Sequence, residues 1–507
     1  MFYRTRKANV MWDTWLYYHE GVHYLYHLHR QNQVLPATTG QRDGITVATS
    51  EDGVHFEEIG PIILKKDDAQ RLGTGSVWPV GDKFIMNFCE RRDGVQAIFF
   101  AQSDDLIHWE ELGDEYRSDP DPQWYDNTPT GRWDCISVLP RPEGGFVGYF
   151  TARPLSSTPG LTYESIGKVE SEDGLHWRTM APPVFDWGEW PAMNLHEPAG
   201  IEKIGDLYYL LMGFGSTDEL GQRHHIDRQG SASGMYTFVA DSIDGPFRPD
   251  TEAYPLLKSN ATPGIQRMTY FARFYRTPKE LLVHHHSVEP NEVVWLAPLK
   301  RAVVDQDGHL ALGYWKGNDA AKGHPIEIDL SSCDRVSPVP NVDGRLSPRE
   351  FSSDWSVGKN RLEINEAHGG GLFLLGNHFD LVQGVVLEGT LQIHEPPKRW
   401  SGIGVFVEEV FAQSQGTAVF AQTRGRTEIG RMNQGVNFRA DDVTDKGIAS
   451  GKRTAFRLLL RRSLLEFYLD DMLIQSYSLP LRQTGRVGLV FESGRAVFED
   501  LKAWVMT

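Results

Sequence analysis

WLYYHEGVHYLYHL, residues 15–28, is a pair of short alternating apolar segments joined across Glu-Gly, and its outline returns four more times. The returns are SVWPVGDKFIMNF (76–88), SVLPRPEGGFVGYF (137–150), AGIEKIGDLYYLL (199–211) and ARFYRTPKELLVHH (272–285). Alternation with a period of two marks strands, and a Gly- or Pro-containing turn between two such runs marks a hairpin. A second element recurs between the hairpins: SEDGVHF (50–56), SDDLIHW (103–109), SEDGLHW (171–177) and, more weakly, DSIDGPF (241–247). A repeat of this length built only of strands and turns is what a propeller blade needs, because one four-stranded sheet cannot bury both of its faces alone. Five hairpins predict five blades.

The 507 residues exceed what one compact core holds, so two domains are expected. Residues 292–315 complete the fifth blade, which sets a five-bladed β-propeller at 1–325 and a polar, Pro/Gly-rich linker at 326–349. The stretches DLVQGVVLEGTLQI (380–393), SGIGVFVEEV (401–410), FRLLLRRSLLEFYLDDMLIQSY (456–477) and GRVGLVFESGRAVFEDLKAWV (485–505) alternate around Gly, Asp-Asp and Ser-Gly turns, predicting a β-sandwich at 350–507. The fold class is all-β throughout.

With 51 Lys and Arg against 68 Asp and Glu, the net charge is −17, and no basic block interrupts it. Phosphate backbones and anionic membranes are repelled on average, which argues against nucleic acid or a membrane as partner. Three scattered cysteines, Cys89, Cys135 and Cys333, form neither a disulfide framework nor a zinc motif. No apolar h-region precedes the first strand and no run of about 18 apolar residues occurs, so a cytoplasmic protein, monomer or homo-oligomer, is expected.

In a propeller the innermost strand of each blade lines a central funnel, so side chains at the starts of these strands converge. Asp13 stands eight residues before Gly21 of the first turn and Glu197 eight before Gly205 of the fourth, while Asp134 stands ten before Gly144 of the third. Each lies beside an aromatic or a proline. Carboxyls sharing a poorly hydrated pocket cannot ionise equally, and the split creates a proton donor and a nucleophile, the pair that glycoside cleavage requires. Trp12, Trp15, Trp78 and Trp133 flank the same strand starts as candidate platforms for a sugar ring.

This arrangement resembles the β-fructosidases of glycoside hydrolase family 32, with wider similarity to families 43 and 68. The resemblance implies a five-bladed propeller followed by a β-sandwich. It puts Asp13 of MWDTW in the place of the nucleophile, Asp134 of RWDC in that of the transition-state stabiliser and Glu197 of HEP in that of the general acid, with GTGSVW (73–78), including Ser76, as a sugar-pocket segment. WDTW departs from the family's Asn-Asp-Pro-Asn-Gly context, Trp133 separates Arg132 from Asp134, and His196 and Pro198 flank Glu197 without the usual cysteine. These changes touch the groups that would hold sugar hydroxyls. Arg132, His196 and Arg267 complete the candidate substrate contacts.

The expected activity is that of a retaining, exo-acting β-fructofuranosidase-type hydrolase on a small glycoside, with no cofactor and no metal. Alternatives are an inverting arabinofuranosidase like family 43 and a propeller that binds glycans without cleaving them. In HHH (284–286) strand alternation lets at most His284 and His286 share a face, which is too few for a metal site. HGGG (368–371) reads as a turn, since no G-x-S-x-G nucleophile accompanies it.

Overall fold

The computed structural model describes residues 3–6, 10–30, 43–92, 94–155, 166–189, 195–214, 233–250, 255–259, 269–289, 293–336, 355–396, 400–410, 415–433, 437–480 and 483–507. They form two compact units that meet in the chain at Asn318 and Asp319. Both units are built from antiparallel strands.

In the first unit, β1 (Val10–His19), β2 (Val22–Arg30), β3 (Gly44–Ser50) and β4 (Glu57–Leu64) make one sheet in chain order. The quoted hairpin is its first half. His19 pairs with Val22 across Glu20 and Gly21, both at positive φ (46° and 90°), the geometry that matches a two-residue turn to strand twist. A second sheet holds β5 (Ala69–Leu72), β6 (Ser76–Val80), β7 (Lys83–Arg92), β8 (Val95–Ser103) and β9 (Glu110–Glu111). The third holds β10 (Trp133–Pro140), β11 (Phe146–Ala152), β12 (Gly167–Ser171) and β13 (Arg178–Met180). The fourth holds β14 (Leu195–Ile204), β15 (Leu207–Phe214), β16 (Ser233–Ala240), β17 (Arg248–Pro249) and β18 (Pro255–Ser259).

These four sheets are blades of a propeller-like ring. A further run follows: β19 (Thr269–Arg276), β20 (Leu281–Glu289), β21 (Val293–Leu296), β22 (Lys300–Val304) and β23 (Leu310–Tyr314). In it β19 pairs with β20, β20 with β21 and β22, and β22 with β23. The first strands of successive sheets adjoin one another. β6 lies beside β1 and β10, β14 beside β10 and β19, and β19 returns to β1.

Apolar clusters fill the spaces between consecutive blades. Trp15, Tyr26 and Val47 of the first meet Leu72, Met86 and Phe88 of the second. Trp78, Ile85 and Phe100 meet Trp133, Ile136 and Phe150. Tyr149 and Val147 meet Phe238 and Leu210. Blade faces are thus covered by their neighbours, as the repeat demanded.

The Ser-x-Asp element closes three blades in one way. Ser50, Ser103 and Ser171 accept the N–H of the residue three positions on, at 2.8–2.9 Å, and Asp52, Asp105 and Asp173 each accept two further N–H groups and sit 2.6–2.8 Å from the Nδ1 of His55, His108 and His176. The recurring motif is a capped turn, and its histidines serve the turn.

In the second unit one long strand, Val487–Met506, pairs in turn with Arg361–Leu374, Val385–His394 and Gly402–Val410; a large apolar core includes Leu387, Val405, Val407, Leu458, Phe467 and Leu489, and a smaller one Leu372, Phe406, Phe420 and Val490. Positive φ at Ser493 (63°), Gly494 (76°) and Asp500 (57°) bends it between partners. The LLLRRSLLEFYL segment forms the hairpin Thr454–Arg461 with Leu464–Leu469, and Asp470 and Asp471 make the next turn at φ 46° and 62°.

Three expectations need correction. The seam falls after Asn318, earlier than 325, because Lys322–Ile326 pairs with the C-terminal strand (Lys322 with Met506, Ile326 with Ala503). Part of the expected linker is strand, since Asp334–Val336 pairs with Leu372–Leu374; residues 337–349 lie outside the described set. HGGG is no turn. It lies within Arg361–Leu374 at a register shift, with Gly370 opposite Glu492 and Gly371 opposite Phe491.

Candidate active site

In four of the five runs the first strand breaks its ladder. The register shifts between Met11 and Thr14 in β1, between Asp134 and Ser137 in β10, between Leu195 and Glu197 in β14 and between Tyr270 and Arg273 in β19. In the second blade the segment Gly73–Gly75 interrupts the pairing of β5 and β6 with β7. A bulge takes a residue out of the ladder and re-aims its side chain, which is why bulges gather beside sites. Here the breaks leave unpaired Trp12 and Asp13, Thr74, Cys135 and Ile136, His196, and Phe271 and Ala272, while Asp134, Glu197 and Tyr270 are the paired residues at their edges. Cys135 and Phe271 are held at φ +58° and +57°, strained for residues with a side chain.

Each of the three acids is held by donors. Arg132 Nη2 donates to Glu197 Oε1 at 2.7 Å and, at 3.4 Å, to Asp134 Oδ2, so one guanidinium ties the third blade's acid to the fourth's. Tyr270 donates its hydroxyl proton to Glu197 Oε2 at 2.8 Å. Gly213, paired across strands with Glu197, makes room for that phenol, since a Cβ there would stand 2.6 Å from the Tyr270 oxygen. Asp134 Oδ1 accepts from the Cys89 thiol at 2.7 Å, and Gln96 donates to the same sulfur at 2.9 Å. Asp13 Oδ2 accepts the Thr74 hydroxyl. Beneath them Arg273 donates to the Gly75 carbonyl at 2.6 Å, bracing the second blade from the fifth run.

The charge of Asp13 is felt by groups that the other two acids also influence. Burial pushes the Cys135 thiol up to about 12 against the pull of Arg273, and Asp134, Asp13 and Glu197 all add to the rise. Burial likewise drives the Tyr270 hydroxyl well above its ordinary range, with Glu197 and then Asp13 reinforcing it. The charges of all three carboxylates thus reach one thiol, and those of two of them one phenol. The side chains of Arg132, Asp134 and Glu197 keep 14%, 11% and 18% of their surface, enough for a small molecule to touch each. Among the described residues no cluster of His, Cys, Asp and Glu is arranged to hold a metal.

Of the aromatic candidates only Trp12 suits a platform. It is half-buried, and its ring lies 6.2 Å from that of His286, which also faces Tyr270 and Phe271. Trp15, Trp78 and Trp133 are core residues with 2%, 4% and 0% exposure. Trp15 stacks on Tyr26, while the Trp78 and Trp133 indoles donate inward to Gly174 O and Ser118 Oγ. Blade packing claimed them, as it claims large side chains generally. Ser76 also turns inward, giving its proton to the Ile136 carbonyl and accepting from Asn87 Nδ2 at 2.6 Å. The His196 side chain and Arg267 lie outside the described residues.

Thr74, Cys89, Tyr270 and Arg273 went unread in the sequence. Tyr270 carried a signal, for it stands eight residues before Pro278 of the fifth turn, the offset of Asp13 and Glu197. Cys89 carried none, because it reaches Asp134 from the second strand of another blade.

No family model and no curated protein matches the sequence. Solved structures do. The sucrose-6-phosphate hydrolase of Lactobacillus gasseri superposes with a TM-score of 0.66 at 12% identity, over 98% of this chain and 91% of that one. For the GH32 β-fructofuranosidase of Bombyx mori the values are 0.62, 12%, 98% and 92%, and for the exo-inulinase of Aspergillus awamori 0.59, 12%, 100% and 97%. At such identity the likeness is one of backbone along the whole length: the chain has the fold of the glycoside hydrolase family 32 β-fructofuranosidases.

Proposed function

We propose that the chain is a retaining, exo-acting glycoside hydrolase of furanosides, of the β-fructofuranosidase type, working on a five-bladed propeller followed by a β-sandwich. One observation carries the reading. Three blades each set an acid within or beside a break in the first strand's ladder; Arg132 joins Asp134 to Glu197, Tyr270 and Cys89 hold these two, and Thr74 holds Asp13. The closed succession β1–β6–β10–β14–β19–β1 supports the count of five, and the bent C-terminal strand supports the sandwich.

In this reading Asp13 attacks the anomeric carbon while Glu197 gives its proton to the departing oxygen, leaving a glycosyl ester on Asp13. The charge on Asp13 favours the protonated Glu197 at the start. Once esterified Asp13 is neutral, and the donors Arg132 and Tyr270 favour ionised Glu197, which then takes a proton from the water that attacks the ester. Asp134 accepts sugar hydroxyls, and Trp12 offers its face to the ring. Fold similarity to fructofuranosidases supports fructose as the sugar.

The test compares Asp13→Ala and Glu197→Ala on sucrose and on a nitrophenyl furanoside. Asp13→Ala is expected to abolish both reactions, and Glu197→Ala to spare the nitrophenyl substrate, whose leaving group needs no proton. Equal losses on both substrates for Glu197→Ala would remove its role as acid, and net inversion of the anomeric centre, followed by NMR, would replace the nucleophile with a general base.

A further inference from the structure

β2 reads VHYLYHLHR, and strand alternation sorts it into two faces. Tyr24, Tyr26 and Leu28 pack toward the second blade. His23, His27 and His29 take the other face and are buried there. β20, LLVHHHSVE, adds His284, His285 and His286, buried as well. Among the described residues these six are all the buried histidines, so imidazole collects on the two sheets that meet where β19 returns to β1.

Tyr275 of β19 is the hub of the contacts across this seam. Its hydroxyl lies 3.3 Å from His23 Nδ1, and its ring lies 6.0 Å from the rings of His23 and His284 alike. His23 also meets the rings of Tyr18 in β1 and of Trp315, at 4.9 and 5.9 Å. His27 Nε2 lies 3.3 Å from the hydroxyl of Tyr3, whose carbonyl accepts the Leu296 N–H at 2.9 Å, so the N-terminal segment straps β2 to the last run. His29 Nδ1 lies 2.8 Å from Thr46 Oγ1 of β3, and the His286 ring 6.2 Å from that of Trp12 in β1.

The seam is built for neutral rings. His284 Nδ1 is buried with no hydrogen-bond partner among the described residues, and His284 stands directly opposite Arg273 in the β19–β20 pair. Burial, then Arg273 and His286, hold His284 well below its ordinary range, and burial, then Lys300, do the same to His285. Burial also brings His23 and His27 down to about 4 and lowers His29. It outweighs the pull of Asp52 on His23, of the Leu28 carbonyl and Glu58 on His27, and of Asp43 and Glu58 on His29.

We propose that this row is an acid-operated latch on the ring: protonation of His23 and His284 around Tyr275, and of His27 beneath Tyr3, parts the first sheet from the β19–β20 hairpin while the other sheets stay folded. Trp12 and Asp13 stand on one side of the seam, in β1, and Tyr270 on the other, in β19, so parting it takes the site apart and reclosing restores it. A buried neutral imidazole stabilises the closed form fully above the unfolded value near 6.5, and that stabilisation is lost as the pH falls towards the folded value. Within that window each histidine shifts the closed–open equilibrium by about tenfold per pH unit. The carboxylates of the three Ser-x-Asp turns act below about pH 4 and in three blades alike, which separates their effect from the latch.

Hydroxyl-radical footprinting of the full chain, read by mass spectrometry and normalised to an exposed side chain, tests the latch between pH 7 and 4.5. Labelling of His23 and Tyr275 should rise about tenfold or more in one transition that reverses on return to pH 7, while Tyr149 and Phe238, packed between the third and fourth sheets, stay protected. In His284→Asn the steepness of the transition should fall by about one proton, and in the double variant with His23→Asn by about two, whatever either change does to stability. Labelling of Tyr149 and Phe238 in step with Tyr275 would mean global acid unfolding and overturn the latch. So would a Tyr275 that stays protected down to pH 4.5, or a steepness unchanged in the variants. The labelling pattern of the parent decides alone if a variant fails to fold, and none of these outcomes depends on the hydrolase reading.

Discussion

Replacing Gly73 with Ala tests the innermost packing of the site without touching a reactive group. The new methyl would sit 2.1 Å from Cys89 Sγ, 2.9 Å from Asp134 Oδ1 and 3.4 Å from its Cγ, whereas unstrained carbon contacts lie near 3.5–4.0 Å. The sulfur must give way by more than about 1 Å, and it is buried between the Gln96 amide and the Asp134 carboxylate. Forcing a methyl into a filled interior costs about 1–3 kcal/mol, and the thiol's hydrogen bond to Asp134 goes with it. Displacing Asp134 by the order of 1 Å should lower kcat/KM about a hundredfold. Urea unfolding followed by fluorescence and circular dichroism measures the first cost in Gly73→Ala, Cys89→Ala and the double variant. With the sulfur removed the methyl has room, so the Gly73 substitution should cost at least about 1 kcal/mol less in the Cys89→Ala background. A strictly additive cycle, or a Gly73→Ala protein as stable as the parent, would show that these three groups do not meet and would refute the geometry around Asp134.

Three further outcomes are expected. Trp133→Ala should lose about 3–5 kcal/mol of stability, as a fully buried Trp does, whereas Trp12→Ala should leave the urea midpoint nearly unmoved and raise KM for the furanoside; the reverse pattern would exchange their assignments. Tyr270→Phe removes a donor from ionised Glu197 and so favours its protonated form, moving the alkaline limb of the pH profile of kcat/KM to higher pH; an unmoved limb would detach the phenol from the acid. Burial raises the carboxyls of Asp52, Asp105 and Asp173, but the His ring, two N–H donors and the Ser hydroxyl in each turn outweigh it and hold them far below the usual range. A depressed folded-state value stabilises above the unfolded value near 3.9 and is lost as the pH falls through the folded one, so Asp173→Asn should be less stable than the parent at pH 6, with a deficit by urea midpoint that narrows as the pH is lowered from about 4 towards 2; a deficit independent of pH would detach the carboxylate's charge from the turn.

The hairpin pitch was legible because alternation and turn chemistry are local. Glu20-Gly21 at positive φ is written in the residue types, and the eightfold offset of Asp13 and Glu197 follows from counting back along a strand. Alternation says which residues share a face of a blade but not whether that face meets a neighbouring blade or the funnel, and Trp15, Trp78 and Trp133 went to the packing between blades while Trp12 lies beside His286. Cys89 and Gly73 matter through contacts spanning 45 and 61 residues of chain to Asp134, and no local pattern encodes such a distance. The seam was displaced for a similar reason, since Lys322–Ile326 finds its partner at the far C-terminus.

The first strands adjoin one another in a succession that closes where β19 meets β1, and Tyr3 adds a bridge to Leu296 nearby. Asp13, Asp134 and Glu197 are all made before residue 200, yet Tyr270, which orients Glu197, and Arg273, which braces Gly75, arrive only with β19. Pairings of such long sequence separation form slowly, because the loop-closure entropy falls due before any contact rewards it. A nascent chain halted before Thr269 therefore carries every acid and no assembled site, and catalytic competence should appear in one late step during synthesis rather than blade by blade.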